Sequence, residues 1–432
     1  MRGREAREWL GWFGQPQARA MFQEGLLIGT DVEAVSGEGV EDDDFELVLA
    51  HERVEWLSYA QEWSFSMLRA AALLHLNLME RLLPTGWILK DANSANVQWH
   101  RGRMCLIDVA SVQRYKGGAW RAYGQFCQTM LFPLFASAYG GVSMNLLLRG
   151  AGRSGLDAAL TSRLLPSSAA VRSGVFTHVH LQRILQRFVD RFGMPALSNE
   201  QVATVSSRAV LSMVKKLRAA IERMPVPEAT AWTGYVQTST YTAEQFEQKK
   251  RLVSRWLVEH LGSDAVVLDV GCNTGAFSRL AATRARQVIA IDADMPCIDE
   301  IWCTAPSNVL PLVVDFADAT PATGWALDEQ KSFTQRVRPD ASLWLAVIHH
   351  LAIHNGIRLA EVCRGILRTS RLLLIEFVDP EDEMVKALLV ARGIERPDYS
   401  RAQFLNHVAA EGAEVIESEV LSPTRQLYLI RR

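Results

Sequence analysis

Short apolar segments alternate with helical segments from Val266 onwards, and this alternation constrains the fold more than any other feature. It predicts an α/β unit in which a largely parallel sheet is covered by helices on both faces. The candidate strands are Val266–Val270, Gln287–Asp292, Val309–Val314, Ser342–Ile348, Leu372–Phe377, Ala413–Glu419 and Gln426–Ile430. A short segment without a helix, residues 421–424, separates the last two. We therefore expect these two strands to pair antiparallel at one edge of the sheet.

The first candidate strand runs into a tight turn that contains two glycines, in the sequence VLDVGCNTG of residues 267–275. Gly271 and Gly275 remove side chains where a ligand would lie against the backbone. The free amides at the start of the following helix favour a carboxylate, and Asp269 can meet an amino group of the same ligand. Asn273 lies at the centre of the turn. These four residues are therefore interpreted as ligand-binding.

Acidic residues also follow the second and third candidate strands. Asp292 closes the second strand, where a carboxylate can accept hydrogen bonds from both hydroxyls of a ribose. Asp315 ends the third strand beside Phe316, and this pair is suited to hold the amino group of an adenine against an aromatic edge. Open α/β sheets bind ligands at the carboxyl ends of their strands, so these groups are expected along one edge of the sheet.

The turn and the two later acids resemble those of the class I S-adenosylmethionine-dependent methyltransferases. The resemblance implies S-adenosylmethionine as the cofactor, and a seven-stranded Rossmann-like sheet with an antiparallel last strand. Residues 348–351, 376–378 and 428–430 are similar to methyltransferases related to the host-specific nodulation protein family. The main alternative is a nicotinamide-binding domain, but its fingerprint requires glycine where Asn273 and Ala276 stand.

Two adjacent histidines, His349 and His350, are expected to end the fourth strand beside the reacting group. Methyl transfer depends mostly on alignment, and a histidine can accept a proton from a hydroxyl or amine near neutral pH. One of the two is our candidate catalytic base; alternatively, one caps the next helix or fills the core while the other lines the pocket. His350 and His354 have helical spacing for a metal ion, but no nearby cysteine or acid completes the ligand set. We expect no metal site there.

The first half of the chain carries a second motif, in residues 89–97 and 105–111. It resembles the catalytic and metal-binding loops of protein kinases and small-molecule phosphotransferases. In such enzymes an aspartate positions the hydroxyl, an asparagine further along the loop binds a metal ion, and an aspartate after the next hairpin binds another. Asp91, Asn96 and Asp108 occupy these places and form a candidate kinase-like site.

Other parts of a kinase are missing from the sequence. Lys90 is the first lysine of the chain, and no glycine-rich phosphate loop precedes it. We therefore favour a kinase-like fold without phosphotransfer, while an active phosphotransferase and a coincidental match stay open. A long buried helix is predicted from Glu62 to Leu83, in front of the loop.

Two prolines, Pro225 and Pro227, mark the best linker candidate. The expected division is a mostly helical α+β domain of residues 1–225, a linker and lid segment of residues 226–250, and a methyltransferase domain of residues 251–432. Aromatic and basic residues of the lid segment are candidates to cover the cofactor: Tyr235, Tyr241 and Lys249.

Composition limits the partners and the compartment. The formal net charge of -2 over 432 residues supplies no basic field, so we expect no nucleic-acid partner. The six cysteines form no CxxC pair, which favours the cytoplasm. Residues 122–148 lack charge, but Pro133, Gly140 and Gly141 interrupt them, so we expect no membrane insertion.

Three functions are compatible with these features. The first is methyl transfer to oxygen or nitrogen of a metabolite, a saccharide or a protein, with residues 1–225 presenting the acceptor. The second is a bifunctional kinase and methyltransferase, similar to enzymes that cap bacterial polysaccharide chains. The third is a non-catalytic scaffold that retains a cofactor pocket.

Overall fold

The computed structural model describes residues 1–36, 46–184, 205–228, 230, 241–396 and 398–432. Tyr235 of the expected lid lies outside the described residues. The chain divides into two compact units, Met1–Pro227 and Glu228–Arg432. The division directly follows the two prolines, which cannot continue a regular helix.

The N-terminal unit combines helices with short strand pairs. Its helices are α1 (Gly3–Phe13), α2 (Pro16–Gln23), α3 (Phe65–Leu82), α4 (Tyr123–Phe126), α5 (Phe132–Gly140), α6 (Met144–Ala151), α7 (Ala158–Leu164) and α8 (Ser207–Glu222). Its strands are β1 (Thr30–Ser36), β2 (Glu46–His51), β3 (Trp87–Leu89), β4 (Val97–His100), β5 (Arg103–Leu106) and β6 (Val112–Arg114). The described strands pair antiparallel as β1 with β2, β3 with β6 and β4 with β5.

Helix α3 forms the centre of this unit, because most of its side chains are apolar and buried. It begins later than the predicted Glu62 because Ser64 caps it: the Ser64 hydroxyl accepts a hydrogen bond from the Met67 amide at 3.4 Å. Pro84 follows its last turn. The helix packs against β3 and β5, the strands that flank the predicted kinase-like loops.

The uncharged residues 122–148 form α4, α5 and the start of α6. A π-helical turn, Cys127–Leu131, joins α4 to α5. Gly141, with a φ of 65°, ends α5 in the left-handed conformation that glycine adopts easily. Among the described residues no helix is long and apolar enough to cross a membrane.

The C-terminal unit alternates strands with helices, as the sequence pattern predicts. Its helices are α9 (Ala243–His260), α10 (Ala276–Ala282), α11 (Met295–Thr304), α12 (Phe333–Arg336), α13 (Leu359–Ile366), α14 (Glu383–Arg392) and α15 (Arg401–Ala410). Its strands are β7 (Val266–Val270), β8 (Gln287–Asp292), β9 (Val309–Val313), β10 (Ala341–Leu345), β11 (Leu372–Val378), β12 (Glu414–Ser422) and β13 (Arg425–Arg431).

These strands form one sheet of the described residues, in the order β12-β13-β11-β10-β7-β8-β9. Neighbours from β11 to β9 run parallel, whereas β13 is antiparallel to both β11 and β12. The predicted antiparallel pairing of the last two strands at the sheet edge is therefore confirmed. The strand order reverses beside β7, so the carboxyl ends of β7, β8 and β10 border the crevice where such sheets bind ligands.

The fourth strand is shorter than the sequence suggested. It ends at Leu345 rather than Ile348, because Ala346 adopts a φ of 61° and breaks the extended conformation. His349 and His350 therefore do not end the strand; they lie in the helical turn after it, and a π-helical segment runs from His350 to His354.

Candidate functional site

The turn after β7 brings the backbone close to the sheet without intervening side chains. Gly271 has a φ of 65°, and a β-carbon added there would lie 2.7 Å from Val347 Cγ2. Gly275 has a φ of 81°, and its added β-carbon would lie 2.9 Å from Ile301 Cγ1. Only glycine meets both requirements, left-handed backbone and close approach, without displacing neighbours. The two glycines therefore close a tight turn, residues 271–275, which we call the cradle.

Asp292 holds this turn in place. One of its carboxylate oxygens accepts a hydrogen bond from the Asn273 amide at 2.8 Å, and the other accepts one from the Asp294 amide at 2.9 Å. Asn273 itself adopts a φ of 48°, which asparagine tolerates better than most residues. Each oxygen of Asp292 keeps a lone pair, so the carboxylate can also accept a ligand hydroxyl.

Asp269 is the buried acid of the site. The Ser278 hydroxyl, from the first turns of α10, donates a hydrogen bond to its Oδ2 atom at 2.6 Å. Burial raises the pKa of Asp269 to about 7, although the hydrogen bond from Ser278 and the charge of Lys249 oppose the shift. The carboxyl group is therefore poised to ionise when a cationic group approaches it.

Asp315 and Phe316 follow β9, next to the strand that carries Asp292. The Asp315 side chain accepts a hydrogen bond from the Ala317 amide at 2.9 Å and starts a short helical turn. The Phe316 ring packs edge-on against the Trp344 ring of β10, with centroids 4.8 Å apart. Phe316 therefore packs on one face of the sheet. Val313 is the strand partner of Asp292, and Asp315 follows Val313 by two residues.

Sequence reasoning named Tyr241 and Lys249 as lid residues but missed that they belong to a buried charged cluster at the same sheet edge. It consists of Tyr241, Lys249, Glu376, Asp382 and Arg425. Lys249 Nζ lies 2.6 Å from Glu376 Oε2, and Arg425 Nη1 lies 3.3 Å from Glu376 Oε1. On its other side, Arg425 Nε donates to Asp382 Oδ2 at 2.9 Å. The Tyr241 hydroxyl donates to Glu376 and accepts from Arg425 Nη1 at 2.9 Å and from Lys249 Nζ at 3.3 Å.

Strand geometry explains why this cluster borders the turn after β7. Side chains alternate between the faces of a sheet, and the strand registers place Asp269, Glu376 and Arg425 on the face covered by α9. Because β13 is antiparallel to β11, its first residue lies at the carboxyl end of β11. Burial opposes ionisation of Glu376, but the charges of Lys249 and Arg425 lower its pKa, so it stays charged.

A sequence signal for the cluster exists. Glu376 is the one charged residue in β11, whose seven residues are all buried. A charge at such a position requires a partner, and the partners here come from α9 and β13. The sequence alone does not identify them, because Tyr241 and Glu376 stand 135 residues apart in the chain.

His349 is the buried member of the histidine pair, and its Nδ1 atom has no hydrogen-bond partner among the described residues. Its ring centroid lies 4.1 Å from that of His350. Burial, and then the charges of His350 and Arg425, hold the pKa of His349 well below its usual value. Burial likewise lowers the pKa of His350 to about 4. Both imidazoles are thus neutral at physiological pH and able to accept a hydrogen bond.

Two of the three residues of the candidate kinase-like site are in direct contact in the N-terminal unit. Asn96 Nδ2 donates a hydrogen bond to Asp108 Oδ2 at 3.2 Å, because the hairpin of β4 and β5 returns the chain to the loop. Burial and then the charge of Asp91 raise the pKa of Asp108. The loop is fixed from behind by the Ala92 amide, which donates to Gln125 Oε1 at 3.0 Å. Asp91, Asn96 and Asp108 therefore form one polar cluster.

The strand order and the glycine turn define an α/β protein with a methyltransferase-like fold in its C-terminal unit. No family model matches the chain. It is 32% identical over 392 residues to nodulation protein NoeA of Rhizobium meliloti (strain 1021), and the match covers 89% of this chain and 82% of that protein. The chain therefore belongs to the NoeA family.

Solved structures similar to the chain include three proteins whose matches cover under half of it. Magnesium protoporphyrin IX methyltransferase ChlM of Synechocystis PCC 6803 with bound SAH is 15% identical, with a TM-score of 0.35, over 46% of this chain and 92% of that one. WbdD is 20% identical with a TM-score of 0.34, over 46% and 42%. N-methyltransferase NodS of Bradyrhizobium japonicum WM9 is 13% identical with a TM-score of 0.32, over 44% and 87%. Scores this low do not define a function.

Proposed function

We propose that the C-terminal unit is an S-adenosylmethionine-dependent methyltransferase that acts on oxygen or nitrogen of a metabolite, a saccharide or a protein. The observation that carries this proposal is the cradle at Gly271, where any side chain would meet Val347 at 2.7 Å. Exposed backbone at the start of a helix suits a carboxylate, and Asp269 beside it suits an ammonium group. The turn therefore fits the amino-acid end of the cofactor.

The remaining residues fit the nucleoside end. Asp292 retains lone pairs for the ribose hydroxyls although it already holds the Asn273 amide at 2.8 Å. Asp315 provides a carboxylate for the adenine amino group at the end of the neighbouring strand. In our proposal the N-terminal unit recognises the acceptor.

The cofactor supplies an electrophilic methyl group with a good leaving group, so the chain has to align the acceptor and help it release a proton. His349, neutral and with Nδ1 free of protein partners among the described residues, is suited to accept a hydrogen bond from the acceptor hydroxyl or amine. Because burial, and then the charges of His350 and Arg425, disfavour protonation of His349, the released proton should pass on to solvent rather than stay on His349.

Calorimetric titration with S-adenosylmethionine tests the proposal. The wild-type chain should bind with micromolar affinity, and Gly271→Arg should abolish binding because the side chain fills the cradle. Gly393→Arg is the matched control: Gly393 has a φ of 61° but open space around it, so this variant should bind normally. Incubation with methyl-labelled cofactor and cell extract then separates an enzyme from a non-catalytic scaffold, because only the enzyme transfers label to an acceptor.

The hydrogen bond between Asn96 and Asp108 favours a second candidate function, a bifunctional kinase and methyltransferase. The two side chains offer oxygen atoms of the kind that magnesium prefers, and the charge of Asp91 acts on Asp108. Magnesium-dependent ATP binding by the wild-type chain, lost in Asp108→Ala and kept in the surface control Asp31→Ala, would support it. Absence of such binding in the wild-type chain would refute it.

A further inference from the structure

Lys249 is a buried lysine on a helix whose other charged residues lie near the surface. Its ammonium group pairs with Glu376 at 2.6 Å. The same Nζ atom lies 4.7 Å from the ring centroid of Phe277 and 5.0 Å from that of Tyr241. One carboxylate and two aromatic faces thus enclose the ammonium group, and such surroundings stabilise a cation away from water.

Arg425 is a second cation near Lys249, and the two repel each other. Two acids offset this repulsion: Glu376 contacts both cations, and Asp382 pairs with Arg425 through Nε at 2.9 Å and Nη2 at 3.2 Å. The charges of these four side chains balance. Lys249 is therefore held at one place by its ion pair: burial lowers the pKa of its ammonium group, and the charge of Glu376 opposes that shift.

The ammonium group of Lys249 lies beside α10, the helix that follows the turn after β7. Phe277, which contacts the ammonium group of Lys249, precedes Ser278, and the Ser278 hydroxyl donates to Asp269 at 2.6 Å. The positive charge of Lys249 favours the ionised form of Asp269, against the burial that raises the pKa of this carboxyl group to about 7. Lys249 thus connects the buried charged cluster to the acid that the proposed cofactor contacts.

We propose that Lys249 is a positioning residue for the cofactor: Glu376 fixes its ammonium group on the face of the sheet that carries Asp269, where the positive charge favours the carboxylate that would meet the cofactor's amino group. The inference rests on the proposed function, since it requires a ligand ammonium at Asp269. The groups that act on Asp269 are Lys249 of α9, Ser278 of α10 and Asp292 of β8, with Glu376 of β11 and Arg425 of β13 acting through Lys249.

The test follows the titration of Asp269 in the ligand-free, full-length chain by carbon-13 NMR of labelled aspartate carboxyl groups. The Asp269 signal is assigned by its loss in Asp269→Asn. Lys249→Met should move the titration midpoint upward by about one pH unit, because the carboxylate loses a nearby opposite charge. The variant should still fold, since Glu376 keeps Arg425 at 3.3 Å.

Two further variants separate the charge of Lys249 from its packing. Lys249→Arg keeps the charge and should keep the midpoint close to the wild-type value. The matched control Lys250→Met removes an adjacent lysine that pairs with Glu247 at 2.8 Å on the surface, and it should leave the midpoint unchanged. An unchanged midpoint in Lys249→Met, or an equal shift in Lys250→Met, would overturn the inference.

Calorimetric titration of the same proteins with S-adenosylmethionine at pH 7 distinguishes the inference from the proposed function. Lys249→Met should bind about fivefold more weakly than Lys250→Met, because a rise of one unit from a pKa of about 7 lowers the ionised fraction of Asp269 at pH 7 about fivefold. Equal affinities of these two variants would overturn the positioning role. A wild-type chain that does not bind S-adenosylmethionine would instead overturn the proposed function. In that case the ligand-free titration would still show whether the charge of Lys249 acts on Asp269.

Discussion

Substitution of Gly271 by alanine tests the cradle after β7 quantitatively. Two costs combine at this position. A side chain in the left-handed conformation, at a φ of 65°, costs about 1–2 kcal/mol. The added β-carbon also meets Val347 Cγ2 at 2.7 Å, and such overpacking costs a further 1–3 kcal/mol or so.

Gly393→Ala separates these two costs. Gly393 ends α14 with a φ of 61°, and a β-carbon there would meet no atom within 4 Å. The control variant therefore has the conformational cost alone, about 1–2 kcal/mol. The difference between the two variants in the free energy of unfolding, measured by urea titration, should be about 1–3 kcal/mol.

Binding gives the second measurement for this pair. Because Cys272 and Asn273 donate their amides to β8, the turn cannot yield to the alanine without losing contacts at 3.1 Å and 2.8 Å. Gly271→Ala should therefore weaken S-adenosylmethionine binding at least tenfold, about 1.4 kcal/mol. Gly393→Ala should bind like the wild-type chain. If Gly271→Ala matches Gly393→Ala in both stability and affinity, the reasoning about the cradle is refuted.

Three other predictions concern charged groups of the C-terminal unit. Asp292→Asn keeps only one carbonyl oxygen for two backbone amides, so calorimetry should show cofactor affinity about tenfold lower; an unchanged affinity would contradict the role of Asp292. The pKa of Asp269 is raised to about 7, so its charged form grows as pH rises, and affinity should increase about fivefold from pH 6 to 7; a flat profile would contradict this. Asp382→Ala removes one of the two acids that pair with buried Arg425 and should lower the free energy of unfolding by about 3 kcal/mol in urea titrations, whereas a loss below about 1 kcal/mol would show that Arg425 does not depend on it.

The sequence predicts the central strands of the sheet well because these strands are buried on both faces. The apolar runs of β7 and β8 match their predicted bounds, since such runs report burial directly. The end of β10 was wrong, because the left-handed φ of Ala346 depends on its surroundings and alanine gives no signal for it. The position of His349 and His350 was wrong for the same reason.

The sequence likewise predicts some residues of the candidate site and not others. Asp269, Gly271 and Asp292 belong to local motifs at the ends of adjacent strands, so their proximity follows from the order of the elements. The buried charged cluster depends instead on contacts between β11, β13 and α9, which the sequence does not specify pair by pair. Its members could be expected to have partners, but the partners themselves come from the fold.

A crystal structure of the chain with S-adenosylhomocysteine, the product expected from the proposed reaction, tests the central claim most directly. The account predicts the nucleoside against the backbone at Gly271, its amino group at Asp269 and its ribose hydroxyls at Asp292. A nucleoside bound elsewhere, or no nucleoside at Gly271 at saturating ligand, would contradict it.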